Sequence, residues 1–167
     1  MTDQVTEILI VQAEELWMCS DPLESYFASA GIKSPFKWQE TSCRRGYVGT
    51  WAIENDRLYL KSLEGRTAHG TPIGLAHIFP GHPGPVLANW FSGEIRCPAG
   101  KLLEARPVGW PWPNVYERDR FFTIREGVVT GQRLVINDLP KDADHVPEAK
   151  NWLEPFSKFL RRRGTLF

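Results

Sequence analysis

Two imidazoles stand five residues apart in His77-Ile78-Phe79-Pro80-Gly81-His82, with His69 upstream. A zinc-type centre needs three or four nitrogen, sulfur or oxygen ligands converging on one point, and two histidines in a Pro/Gly-rich loop supply only part of that set. Cys43 and Cys97 are the thiols that would have to complete it, and no spacing brings them there, so a solvated loop with incidental histidines is the preferred reading. Cys43 is also the candidate nucleophile, because the adjacent Arg44 and Arg45 favour a thiolate. No base or third group that would complete a Cys-His pair is identifiable. Cys97 lies in phase with Ile95 on a strand-like run and reads as a small buried hydrophobe. In Tyr116-Glu117-Arg118-Asp119-Arg120 two carboxylates could do acid–base work, but alternating charge of this kind fits an ion-paired strand edge better. The chain has no GxGxxG, P-loop, GxSxG or HExxH motif.

What remains is recognition by aromatic side chains. Trp110-Pro111-Trp112-Pro113 sets two large aromatics in a stiff, low-entropy segment, and Trp90-Phe91 lies on the approach to another strand. Rigidly placed Trp and Tyr are common interface anchors. Trp110, Trp112, Trp90, Tyr116 and Arg45 are therefore the candidate protein-interface residues. The competing reading is that these aromatics close an open end of a sheet core.

Composition narrows the classes. At 167 residues the chain fits a single domain, residues 1–167, and its apolar fraction of 42% with 24% charged residues is ordinary for a globular protein. Twenty basic residues balance twenty acidic ones, so no global field draws nucleic acid or an anionic membrane. Arg161-Arg162-Arg163 is the local exception and reads as the basic end of a helix. Three widely spaced cysteines without CxxC argue against a disulfide framework and for a reducing compartment. Met1-Thr2-Asp3-Gln4 opens no signal peptide, and no apolar run approaches the roughly 20 residues of a membrane span, so a cytoplasmic location is expected.

The elements that must position these groups are mostly hairpins. In Thr50–Lys61 an Asn55-Asp56 turn puts Glu54 opposite Arg57, Ile53 opposite Leu58, Ala52 opposite Tyr59 and Trp51 opposite Leu60. Alternation then gathers Trp51, Ile53, Leu58 and Leu60 on one apolar face. Glu7–Gln12 with Leu16-Trp17-Met18 forms a second hairpin, Glu94–Cys97 with Lys101–Glu104 a third about Pro98-Ala99-Gly100, and Phe121–Ile136 a fourth about Glu126-Gly127. Residues 64–72 read as a loop. Ser20-Asp21-Pro22 starts a helix that Gly31 ends, and residues 147–160 carry apolar side chains at helical spacing, interrupted by Pro155.

Several blocks occur in order: Thr41-Ser42-Cys43-Arg44-Arg45-Gly46-Tyr47-Val48-Gly49-Thr50-Trp51, Asp56-Arg57-Leu58-Tyr59-Leu60, Asn89-Trp90-Phe91-Ser92-Gly93-Glu94-Ile95-Arg96, Gly100-Lys101-Leu102-Leu103 and Tyr116-Glu117-Arg118. Together, over roughly residues 7–136, they resemble a family of small cytosolic bacterial proteins that share RGYxGTW, WFSG and GKLL blocks and have no assigned reaction. The resemblance implies one compact domain. Members often carry a histidine just after GKLL, where this chain reads Ala105-Arg106-Pro107-Val108-Gly109-Trp110. Gly49-Thr50-Trp51 also matches the GxW of lipocalin-type barrels, a match short enough to arise by chance.

The expected fold is α+β: mainly antiparallel hairpins in a curved sheet or incomplete barrel, with one N-terminal and one C-terminal helix packed at the edge or open end. The expected function is non-catalytic protein binding, of the immunity or antitoxin type that occludes a bacterial partner such as a toxin or effector. No cofactor, metal, nucleic acid or membrane is called for, and the chain is a monomer or homodimer. The alternative is a small-molecule or metal-dependent enzyme using His77, His82, Arg45 and Glu117, which requires those groups to converge in one pocket.

Overall fold

A computed structural model describes residues 4–37, 42–82, 84–106 and 114–138. The candidate anchors Trp110 and Trp112, the helical pattern at 147–160 and Arg161–Arg163 lie outside the described residues.

The described chain is mostly strand, with two short helices. In order it forms β1 (Glu7–Val11), β2 (Glu14–Met18), α1 (Pro22–Ala30), β3 (Tyr47–Glu54), β4 (Arg57–Arg66), β5 (Pro72–Gly74), α2 (Leu75–Ile78), β6 (Val86–Leu87), β7 (Gly93–Glu104), β8 (Val115–Arg125) and β9 (Val128–Ile136). They make one sheet in the order β2-β1-β3-β4-β9-β8-β7, with β5 and β6 also on β4.

The β3–β4 hairpin has the register its residues dictate, from Glu54 opposite Arg57 to Trp51 opposite Leu60. Asn55 and Asp56 take φ of 50° and 57°, which Asn and Asp tolerate better than most residues. Trp51, Leu58 and Leu60 are fully buried. The Glu54 carboxylate reaches past Arg57 to Lys61, at 2.8 Å. β1 and β2 also form a hairpin, but its turn is Gln12-Ala13, with φ of 51° and 67°. Alanine in a left-handed conformation crowds its Cβ against the next carbonyl, so Ala13→Gly is expected to stabilise the chain by about 0.5–1 kcal/mol. A urea unfolding midpoint unchanged or lowered in that variant would contradict a left-handed Ala13.

The sheet is mainly antiparallel, with one parallel seam among the described strands. β1 and β3 are parallel, Ile8 opposite Thr50 and Val11 opposite Ile53. A parallel neighbour needs a long crossover, and α1 with the residues after it carries the chain back so that β3 runs the same way as β1. The expected hairpin at Pro98-Ala99-Gly100 is absent. β7 runs unbroken from Gly93 to Glu104 along β8, with a register shift between Ala99 and Leu102. Gly100, at φ +83°, takes the backbone through that bulge, and Glu117 accepts a hydrogen bond from the Lys101 N–H at 3.0 Å. Residues 64–66, read as loop, belong to β4, which gains β5 as a partner there.

The sheet curves without closing. At its ends the Cys19 N–H donates to the Arg96 carbonyl at 2.9 Å and Arg120 meets Glu14 at 3.0 Å. Its core face buries Leu9, Met18, Trp51, Leu58, Leu60, Ile95, Cys97, Phe122 and Ile124. Leu23 and Phe27 of α1 enter the same cluster, with Asp21 before the helix and Gly31 ending it.

Candidate functional site

The strongest concentration of buried polar groups is centred on Glu7. Its neighbour along β1 on the same face is Leu9, so strand alternation sends a carboxylate where a hydrophobe would ordinarily go. Glu7 is 0% exposed. The Trp51 indole N–H donates to its Oε2, and Arg45 Nε lies 3.3 Å from its Oε1. The same guanidinium donates from Nη2 to the Val5 carbonyl at 2.7 Å and sits 3.4 Å from Asp21 through Nη1. It also lies 5.6 Å from the centre of the Tyr47 ring. The Tyr47 hydroxyl donates to Glu24 of α1 at 2.9 Å, and the Cys43 thiol donates to the Tyr47 carbonyl at 3.3 Å. Glu7 thus joins β1 to β3 through Trp51, and Arg45 and Tyr47 carry the network on to Asp21 and Glu24 at the start of α1.

Burial dominates the electrostatics. It pushes the Glu7 carboxyl up to about 8, against the opposing pull of Arg45 and the Trp51 hydrogen bond. Burial likewise drives the Tyr47 hydroxyl above its ordinary range, helped by the charges of Glu7 and Glu24. Glu7 Oε1 and Arg45 Nε are both buried, 3.3 Å apart, without an aligned hydrogen bond between them.

Within Arg45–Trp51, the arrangement gives Arg45, Tyr47, Gly49 and Trp51 each a place. Arg45 supplies the cation, Tyr47 the wall and Trp51 the N–H donor. Gly49 lies beside Glu7 in the parallel register, and a Cβ there would stand 2.6 Å from Glu7 Oε2 and 2.7 Å from Trp51 Nε1. A Cβ at Gly46 would stand 2.7 Å from the Lys37 backbone. A carboxyl with a raised pKa beside an arginine suits acid–base chemistry when it lines a cleft. Glu7 has no exposed surface, and in this conformation its chemistry is directed inward, at holding three elements together.

The other candidate residues fall in separate places. Trp90 is half-buried, donates through Nε1 to the Pro22 carbonyl at 3.0 Å and stacks on Phe79 at 5.4 Å. Tyr116 is 9% exposed and meets Trp17 edge-on at 6.5 Å. Arg45 is engaged by Glu7, as described. Of the enzyme alternative's four residues, His77 accepts from the Gly74 N–H through Nδ1, Glu117 accepts from Lys101, and Arg45 faces Glu7. These are different neighbourhoods, and none of the contacts described joins them. Among the described residues, no group of three or more His, Cys, Asp or Glu side chains is placed to hold a metal ion. Cys97 is fully buried, and burial pushes its thiol up to about 12.

A second polar cluster, which residue types alone did not disclose, fastens the base of the 107–113 connection. The Arg106 N–H donates to Asn114 Oδ1 at 2.8 Å, closing the two stems on each other. Arg106 also grips Glu104 through two guanidinium nitrogens at 3.0 and 3.1 Å. Arg96 holds the Asn114 carbonyl at 2.9 Å and Asp119 at 2.7 Å, and Asn137 donates to the other Asp119 oxygen at 2.8 Å. Asp119 is only 6% exposed, so the base is rigidly built. The visible signal was the alternating charge of 116–120, read as an edge device.

No protein-family model matches this chain, and no curated protein or solved structure matches it either.

Proposed function

We propose that the protein is a non-catalytic binding module for another protein, with its contact surface centred on the connection between β7 and β8. The carrying observation is the clamp at the stems of that connection, where Arg106, Asn114, Arg96 and Asp119 tie both ends to the sheet. The span between the stems holds Trp110 and Trp112 among Pro107, Pro111 and Pro113. A fastened base and proline-restricted backbone lower the entropy lost on binding, and Trp is the side chain that most often dominates an interface. Tyr116, buried against Trp17 two residues after Asn114, packs the base of the connection from the core side. An occluding partner of the immunity or antitoxin type is the form of such a module favoured by a balanced charge and by the inward-facing Glu7 cluster.

The test compares tagged wild-type chain with Trp110→Ala and Trp112→Ala variants of matched thermal stability, in capture from the native cell and then in titration of the captured protein. Loss of about 2 kcal/mol per tryptophan, roughly thirtyfold in affinity, is expected for interface anchors. Equal affinity of all three chains for the captured protein would place the interface elsewhere.

A further inference from the structure

β9 has a free side. β8 occupies one of its edges along its whole length, from Arg125 opposite Val128 to Arg118 opposite Ile136. On the other edge β4 meets it only at Arg57 opposite Val128, with one more hydrogen bond from the Val129 N–H to the Asp56 carbonyl. Past that point β6 and β5 take the edge of β4, and among the described residues no strand lies against the outer edge of residues 130–136.

Strands left at an edge are normally protected by a proline, a lysine, an acidic side chain or short length. β9 is nine residues long and reads VVTGQRLVI, with none of those residues. Its sole charge, Arg133, is turned onto the sheet. It bonds both Glu94 oxygens at 2.9 and 2.8 Å and lies 3.7 Å over the Phe121 ring. Leu134 and Ile136 are 59% and 63% exposed, on the face that carries Phe122.

We propose that the outer edge of β9 pairs with β9 of a second copy of this chain, antiparallel about a two-fold axis at Leu134. Such an interface is self-complementary, and the edge offers its own missing donors and acceptors. With the axis there, Leu134 faces its copy, Ile136 faces Gln132 and Arg133 faces Val135. No like charges are opposed, Arg133 is already neutralised by Glu94, and the chain has a formal net charge of +0. Five to seven residues of strand bury far less than the roughly 1,200 Å² of a stable complex, so the dimer is weak and concentration-dependent. This proposal rests on the edge and not on the tryptophan-bearing connection.

Sedimentation velocity of the full chain is expected to show 19.1 kDa monomer at low concentration and growing dimer between about 5 and 500 μM. Leu134→Lys, a change at an exposed position that sets two ammonium groups against each other, is expected to weaken the dimer at least tenfold with an unchanged melting temperature. Hydrogen exchange on the wild type reads the same edge without a substitution: amides of 130–136 that do not bond to β8 should gain protection as concentration rises. Monomer throughout, or a dimer indifferent to Leu134→Lys, overturns the proposal. So does protection already complete in the monomer, which would mean that residues of the same chain cover the edge.

Discussion

Gly49→Ala is expected to destabilise the chain by about 2–4 kcal/mol, an unusually large effect for a single added methyl. The methyl has no room: 2.6 Å from a buried carboxylate oxygen and 2.7 Å from the indole nitrogen that bonds it. Either the strand pair β1–β3 must spread or the Trp51–Glu7 hydrogen bond must break, and the second leaves Glu7 buried beside Arg45 with one partner fewer. The cause is separable from an ordinary glycine effect by a double-mutant cycle. Glu7→Ala removes the carboxyl that the methyl strikes and leaves the Trp51 indole room to shift, so Gly49→Ala should cost at least about 1 kcal/mol less in that background. Denaturant unfolding of the four chains decides it. Additive losses, or a single-mutant loss below about 1 kcal/mol, would show that Gly49 is not held by contact with Glu7.

The second large effect is on pH dependence. The folded chain holds the Glu7 proton up to about 8, whereas the ordinary value is 4.5. Between those values the folded state binds a proton that the unfolded state has released. The stabilisation is therefore complete below about 4.5 and is lost as pH rises towards 8, with a slope of at most about 1.4 kcal/mol per pH unit for one proton. This runs opposite to the behaviour of surface carboxylates paired with cations. Glu7→Gln keeps an acceptor for the Trp51 N–H and cannot ionise. Its stability relative to wild type should improve steadily from pH 5 to pH 8, and that difference isolates Glu7 from every other titrating group. A difference that stays flat across the window would mean that Arg45 keeps Glu7 ionised throughout.

Legibility followed distance along the chain. The β3–β4 hairpin could be read residue by residue because its turn, its cross-strand pairs and its apolar face all lie within Thr50–Lys61. The β8–β9 hairpin about Glu126-Gly127 and the helix between Asp21 and Gly31 were legible for the same reason. Pro98-Ala99-Gly100 misled because these residue types suit a turn and a bulge equally. The choice was made by β8, whose Asp119 and Arg118 face Pro98 and Ala99 and keep β7 in one piece. The parallel seam was illegible in principle, since Ile8 and Thr50 have no local signal relating them.

The candidate site divided in the same way. Arg45, Gly49 and Trp51 were visible as a block, but the reason for their grouping sits at Glu7, about forty residues earlier, in a run that reads only as a short strand. The clamp of Arg96, Asn114 and Asp119 was equally scattered, since each residue alone is an ordinary polar side chain.

From the order of its residues alone, this chain determined the turns at Asn55-Asp56 and Glu126-Gly127 and the apolar face of the β3–β4 hairpin. Those depend on backbone preferences and side-chain periodicity, which act over a few residues. Only the tertiary structure decided that Glu7 is buried under Arg45, that β7 is unbroken and that β1 and β3 run parallel. Each of these depends on which distant segment takes up a hydrogen-bonding edge or removes a charge from water, and that competition is settled by packing the whole sheet.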